Sequence, residues 1–323
     1  MFSALENRCL QDIDTIYVLL DSHESLIETR PDISHKIKIY SVSACVTRLY
    51  AIYENFVETA VSDYLDSLSE CVKFDLLPYE LKTEYRMGIS YILSKIDQGR
   101  YDHLTHENII KWYYEAHSGI EPYKFVTNAL TRHEQNFRLN ILVNAFNRVQ
   151  LKDLTSWLSN HPNIKSLYPD DDSFYQLLEA EIKDFIQLRN DAAHGSIDAL
   201  EGRDSLNRHC EVIKALIISI GSYLRKNQLL NMLPTGKARE IGFVSECFPA
   251  NGAFVAKLKI GTEINLYQNI YFLDRTNCYS QPINSIRIND ESVIAAKANT
   301  DEFEVGIKCN EMVKTQAKII MTY

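Results

Sequence analysis

The chain has 323 residues, 46% of them apolar, enough for one large and one small domain or two of ordinary size. Its formal net charge of −9 comes from 34 basic and 43 acidic residues. That balance excludes a protein that grips nucleic acid along its whole surface, because such proteins usually carry a basic face. Contact with RNA would have to be confined to a local pocket, a selected substrate or a dimer cleft. No apolar run approaches the roughly 18 residues needed to span a bilayer; Ala215–Ile220 is among the longest. The opening residues Met1–Arg8 lack the basic stretch, apolar core and cleavage site of a secretion signal. A soluble, cytoplasmic protein with no membrane partner is expected. The seven cysteines, at 9, 45, 71, 210, 247, 278 and 309, form no CxxC pair, which suits a reducing compartment. His103 and His106 lie three apart but have no companion ligand beside them, so they read as loop histidines. No metal and no cofactor are expected.

Taken in chain order, the pattern is helical to about residue 230 and glycine is rare. Leu49–Glu58 carries apolar side chains at three- and four-residue spacing, predicting a helix. Further helices are expected over Asn136–Val149, Ser173–His194 and about Ser205–Lys226, the last with Leu206, Cys210, Ile213, Ile217, Ile220 and Leu224 along one side. The texture changes at Asn231–Gly236. Short alternating or β-branched runs follow: Ile241–Val244, Ala253–Leu258, Asn269–Leu273, Ile283–Ile288, Phe303–Ile307 and Ala317–Met321. Turn residues such as Asn251-Gly252 and Gly261-Thr262 separate them. The expected fold is therefore multidomain α and β: an all-α helical bundle over 1–230, then a small antiparallel β-barrel over 236–323. The barrel segment holds ten basic and ten acidic residues, so the acidity belongs to the helices.

The place built for chemistry is Arg189-Asn190-Asp191-Ala192-Ala193-His194. The helix before it places Phe174, Leu177, Leu178, Ile182, Phe185, Ile186, Arg189, Ala192 and Ala193 on one apolar stripe. A guanidinium there cannot lose its charge, so it calls for an anion, a subunit boundary or an open cleft. Asn190 and His194, four apart, share a face, whereas Arg189 and His194 point about 140° away from each other. For those two to converge on one ligand, the helix must loosen near Gly195, a favoured stop. Side chains of these types can also simply cap and solvate a helix end. Glu54 is a second candidate. It is either an exposed glutamate paired with Arg48 or another cation, or an acid that contacts Arg189 and holds it.

Arg-Asn-x-x-x-His followed by Gly, late in an all-helical region, resembles the Arg-x4–6-His motif of the HEPN superfamily. Ala51–Val57, with a glutamate before an aromatic residue, resembles the first core helix of its RiboL-PSP and MAE_28990-like branches. Phe137–Leu142 is similar to their middle segment. The resemblance covers roughly residues 30–230. It implies a metal-independent endoribonuclease working as a homodimer, with motifs from two subunits lining one cleft and RNA as substrate. Arg189 would neutralise the scissile phosphate, His194 would move a proton, and Asn190 would orient the imidazole or donate to a phosphate oxygen. A 2′,3′-cyclic phosphate and a 5′-hydroxyl are the products implied, in a toxin–antitoxin or antiviral-defence setting. HEPN toxins paired with a minimal nucleotidyltransferase often have a tyrosine two residues after the histidine; here that residue is Ser196, which puts silencing by that route in doubt.

Gly242-Phe243-Val244, Leu258–Ile264 and Val305–Lys308 resemble domain two of the translation GTPases. They are equally similar to the barrel ending a family of collagenase-like peptidases. The resemblance implies a translation-machinery partner or translation-related RNA such as tRNA; no P-loop accompanies it. The alternative to a nuclease is a non-catalytic interaction or regulatory HEPN protein, antitoxin-like or with its barrel docking a protein partner.

Overall fold

The computed structural model describes residues 2–169, 173–194, 202–249 and 252–323. The chain divides into two units, Met1–Leu224 and Arg225–Tyr323. Among the described residues, ten α-helices come first in chain order: α1 (Ser3–Thr29), α2 (Ser34–Cys71), α3 (Tyr79–Leu93), α4 (His106–His117), α5 (Asn128–Thr131), α6 (Leu139–Arg148), α7 (Leu154–Asn160), α8 (Pro162–Lys165), α9 (Phe174–His194) and α10 (Arg203–Met232). Among the described residues, no helix is long and apolar enough to cross a membrane.

The first unit is organised around α2. Its buried residues, among them Val46, Leu49, Tyr53, Phe56, Ala60 and Leu68, recur at three- and four-residue intervals and make one continuous apolar face. Both α1 and α9 pack along this helix. The buried positions of α9 are Leu178, Ile182, Phe185 and Ile186. Its apolar stripe is narrower than the sequence suggested, because Leu177 and Ala193 are exposed. Gly88 in α3 lets α5 approach closely: a Cβ at that position would collide with the carbonyl oxygen of Ala129. This fixes α5, and so the start of the segment 132–138, which feeds residues into the site described below.

The described residues of the second unit form ten strands: β1 (Ala238–Phe248), β2 (Ala253–Leu258), β3 (Glu263–Asn265), β4 (Asn269–Leu273), β5 (Cys278–Pro282), β6 (Ser285–Ile288), β7 (Glu291–Val293), β8 (Ala295–Lys297), β9 (Phe303–Lys308) and β10 (Lys318–Thr322). Eight of them form one sheet in the order β5-β4-β10-β1-β2-β9-β6-β7, and β3 pairs separately with β8. All pairings are antiparallel.

This corrects the expectation of a closed barrel. Closure needs the two edge strands to pair, and β5 and β7 do not. Strand β7 is three residues long, too short to zip a seam. Alternation in the sequence reported a buried face, and a curled open sheet buries one as well as a barrel does. Two register shifts in β1, at Glu240/Gly242 and Val244/Glu246, mark β-bulges, which bend a strand and increase its twist. Ile241, Phe254, Ile264, Phe272, Ala296 and Ile319 belong to a single core covered by both sheets. Of the turn residues Asn251-Gly252, Asn251 lies outside the described residues.

Candidate active site

Arg189 lies near the end of α9 and is partly buried, as its place on the apolar stripe predicts. Its guanidinium carbon sits 4.7 Å from the centroid of the Tyr50 ring, in cation–π contact. Nη1 donates to Oδ1 of Asn190 at 3.2 Å. The same Oδ1 accepts from Nδ2 of Asn136 at 2.8 Å. The Nε–H of Arg189 is shielded from solvent and finds no acceptor among the described residues. No carboxylate pairs with this arginine among them. A charged side chain is thus held in place by an aromatic face and an amide, with its charge uncompensated and a donor left over.

Tyr50 is fixed from both sides. It is fully buried, its ring packs against Phe185, and its hydroxyl donates to Oε1 of Glu54 at 3.0 Å. The backbone N–H of Phe137 donates to that hydroxyl at 3.2 Å. Burial, and next the neighbouring Glu54 charge, push the phenol well above its ordinary pKa, so it stays neutral and keeps donating. Glu54 therefore does not touch Arg189 directly. It anchors the tyrosine on which the guanidinium rests.

Beyond Glu54 the polar network continues along α2. Glu54 lies 3.9 Å from His133 Nε2, and Glu58, one turn further on, lies 2.8 Å from the same nitrogen. Arg100 donates to Glu58 at 2.6 Å. Burial alone would raise the Glu58 carboxyl; the hydrogen bond and charge of His133, joined by Arg100, outweigh it and hold the pKa below the ordinary 4.5. Tyr50, Glu54 and Glu58 recur every four residues and so share one face of α2.

Of the sequence-predicted residues, the structure brings Arg189 and Asn190 together and links Glu54 to them through Tyr50. His194 is exposed at the last position of α9 and makes no hydrogen bond among the described residues. The helix remains regular to that point, so the side chains of Arg189 and His194 diverge by about 140° within one chain. The loosening expected at Gly195, and Ser196 beyond it, lie outside the described residues. Asn190 spends its oxygen on Arg189 and Asn136, so it orients the guanidinium and keeps its Nδ2 for another acceptor. Arg48, the expected partner of Glu54, pairs instead with Asp12. Tyr50, Asn136 and His133 escaped the sequence reading. The Tyr50-x3-Glu54-x3-Glu58 spacing could have revealed the first; Asn136 carries no sequence signal.

Among the described residues, no group of three or more His, Cys, Asp or Glu side chains is placed to hold a metal ion. The family model of RiboL-PSP-HEPN matches residues 11–226. The chain belongs to the RiboL-PSP-HEPN family. The match spans every residue of the Arg189 site just described, and membership of this HEPN family points, at the coarse level, to ribonuclease-type chemistry. No curated protein matches this RiboL-PSP-HEPN chain. Among solved structures it is similar to the C-terminal domain of a putative U32 peptidase from Geobacillus thermoleovorans. The selenomethionine variant is 16% identical, with 25% of this chain and 96% of that chain covered and a TM-score of 0.22. A second structure of the same domain is 15% identical, with 26% and 91% covered and a TM-score of 0.23.

Two outcomes follow for this HEPN site. Tyr50→Phe keeps a ring under Arg189 but leaves the buried Phe137 N–H without its acceptor. Urea unfolding should show a loss of about 1–3 kcal/mol, the cost of one orphaned buried donor; an unchanged midpoint would mean the hydroxyl anchors nothing. Glu58 is a depressed carboxylate, so the unfolded chain binds more protons as pH falls through 4.5 and below. Its contribution is present above that value and lost beneath it. The gap in stability between the native chain and Glu58→Gln should therefore be largest at neutral pH and shrink in acid, as parallel denaturation series at several pH values would show.

Proposed function

We propose that this protein is a metal-independent endoribonuclease that cleaves RNA by attack of a 2′-hydroxyl on the adjacent phosphate. The observation that carries the reading is Arg189: a cation without an acid partner, seated on Tyr50, with a shielded Nε–H that lacks an acceptor. Orphaned buried donors are rare in folded proteins, and a phosphate oxygen would satisfy this one. A planar guanidinium can donate two parallel hydrogen bonds to a phosphate, and it stabilises the charge that builds on the pentacoordinate phosphorus.

Proton transfer falls to His194, whose imidazole is exposed and can both accept and donate a proton. One imidazole takes the proton of the 2′-hydroxyl as its oxygen bonds to phosphorus. A second gives a proton to the 5′-oxygen as the phosphorus–oxygen bond breaks, leaving a 2′,3′-cyclic phosphate and a 5′-hydroxyl. Two histidines, and the divergence of Arg189 and His194 on one regular helix, both favour a homodimer in which each cleft combines groups from two chains. Asn190, with Oδ1 committed to the arginine, offers Nδ2 to the phosphate. A toxin or phage-defence setting, with tRNA or another translation-related RNA as target, completes the reading.

The net charge of −9 favours a second reading, a non-catalytic interaction protein whose C-terminal sheet docks a partner. Expression of the wild type, His194→Ala and Arg189→Ala in bacteria, with mapping of 5′-hydroxyl RNA ends, separates the two. The nuclease reading predicts new ends with the wild type and a fall of at least about 10²-fold with His194→Ala, the usual worth of positioned proton transfer. Cleavage should persist in chelator. Identical RNA ends and growth in all three strains would refute it and leave the interaction protein.

A further inference from the structure

A groove of about 400 Å³ lies between α9 and the start of α6, lined by Arg138, Asn140, Gln176, Glu179 and Lys183 among others. We propose that it is a backbone subsite that holds single-stranded RNA beside the scissile phosphate, with Lys183 and Arg138 as its phosphate-binding cations. The proposal rests on the ribonuclease reading and extends it to the substrate's flank.

Charge is the first argument. Several basic side chains elsewhere in this unit are neutralised in place: Arg48 by Asp12, Arg100 by Glu58, Arg132 by Glu84 and Arg208 by Glu181. Arg138 and Lys183 are exposed and make no ion pair or side-chain hydrogen bond among the described residues. In a chain with an excess of carboxylates, these two cations face one groove with their charge uncompensated. Among the described residues, Glu179 is the one acid that lines the groove, and it too has no partner among them.

Position is the second argument. Lys183 precedes Asn190 by seven residues, so both lie on the same face of α9, about 10 Å apart along its axis. Arg138 follows two residues after Asn136, whose amide bonds Asn190. The segments that form both walls are therefore joined at the Asn136–Asn190 hydrogen bond, the same point that fixes Nη1 of Arg189. A strand whose phosphate sits on Arg189 has its neighbouring backbone led into this groove. Helix α6 adds to the field: it begins at Leu139 without a side-chain cap or an acidic residue in its first turn, which leaves its positive end uncompensated. Among the described residues, no aromatic side chain lines the groove, so bases find none there to stack on. Recognition there runs through phosphate and sugar and is blind to sequence.

The test uses the full chain in a His194→Ala background, where RNA stays intact, and fluorescence anisotropy with short labelled single-stranded RNAs of different sequence at several salt concentrations. Replacing Arg138 and Lys183 together by glutamine should weaken binding of all sequences alike. It should also flatten the dependence of log K on log salt by about 1.4, at roughly 0.7 per lost phosphate contact on a single strand. Glu179→Gln should tighten binding, a gain that misfolding does not produce. Unchanged affinity and slope in both variants, with His194→Ala alone still binding and the wild type still cleaving, would overturn the subsite and spare the nuclease. A wild type that neither binds nor cleaves RNA would overturn both.

Discussion

The site depends on one interaction, the seating of the Arg189 guanidinium on the Tyr50 ring. A carboxylate in place of that ring would hold the arginine more firmly and spend its charge. An aromatic face attracts a cation by about 0.5–1 kcal/mol when exposed and about 2 when desolvated, enough to fix its plane without neutralising it. Since α2 carries Tyr50 and α9 carries Arg189, the contact also joins the two helices whose packing defines the site.

That seat is supported from behind. Phe137 N–H, the Tyr50 hydroxyl and Glu54 form a chain of hydrogen bonds, and Glu58, His133 and Arg100 extend the polar network along the same face of α2. Each buried polar group in it has a partner, so the tyrosine has little freedom to turn. Glu54 and Glu58 are occupied within this network instead of facing Arg189. The carboxylates of α2 thus organise the arginine's platform while the arginine keeps its charge for something else. Under the proposed function, a phosphate would satisfy both the charge and the spare Nε–H.

Much of this was legible in the sequence where periodicity reports burial. The apolar faces of α2, α9 and α10, and most of the longer strands, followed from spacing alone, because a face that must be buried repeats at the pitch of its element. The short strands β3, β7 and β8 were not legible, since three residues carry no period. Closure of the sheet was not legible either: alternation says which side of a strand is wet, and which strand pairs with which is set by bulges and strand length. Arg189 could be singled out because a permanent charge on an apolar stripe is a contradiction that the fold must resolve. How it is resolved, by Tyr50 and by an amide from residue 136, depends on contacts distant in sequence. Glu54 reaches the arginine only through Tyr50, a relay that is illegible in sequence for the same reason.

Under the proposed function, Arg189 is a fixed, uncompensated cation waiting for a phosphate. NMR observation of the arginine Nε–H resonances, during titration of the His194→Ala protein with 2′-O-methylated RNA that resists cleavage, tests it directly. The account predicts that the Arg189 Nε–H signal, assigned by its loss in Arg189→Lys, shifts in proportion to bound RNA. An Arg189 signal that stays fixed while the RNA saturates the protein would show that the phosphate binds elsewhere, and would contradict the account.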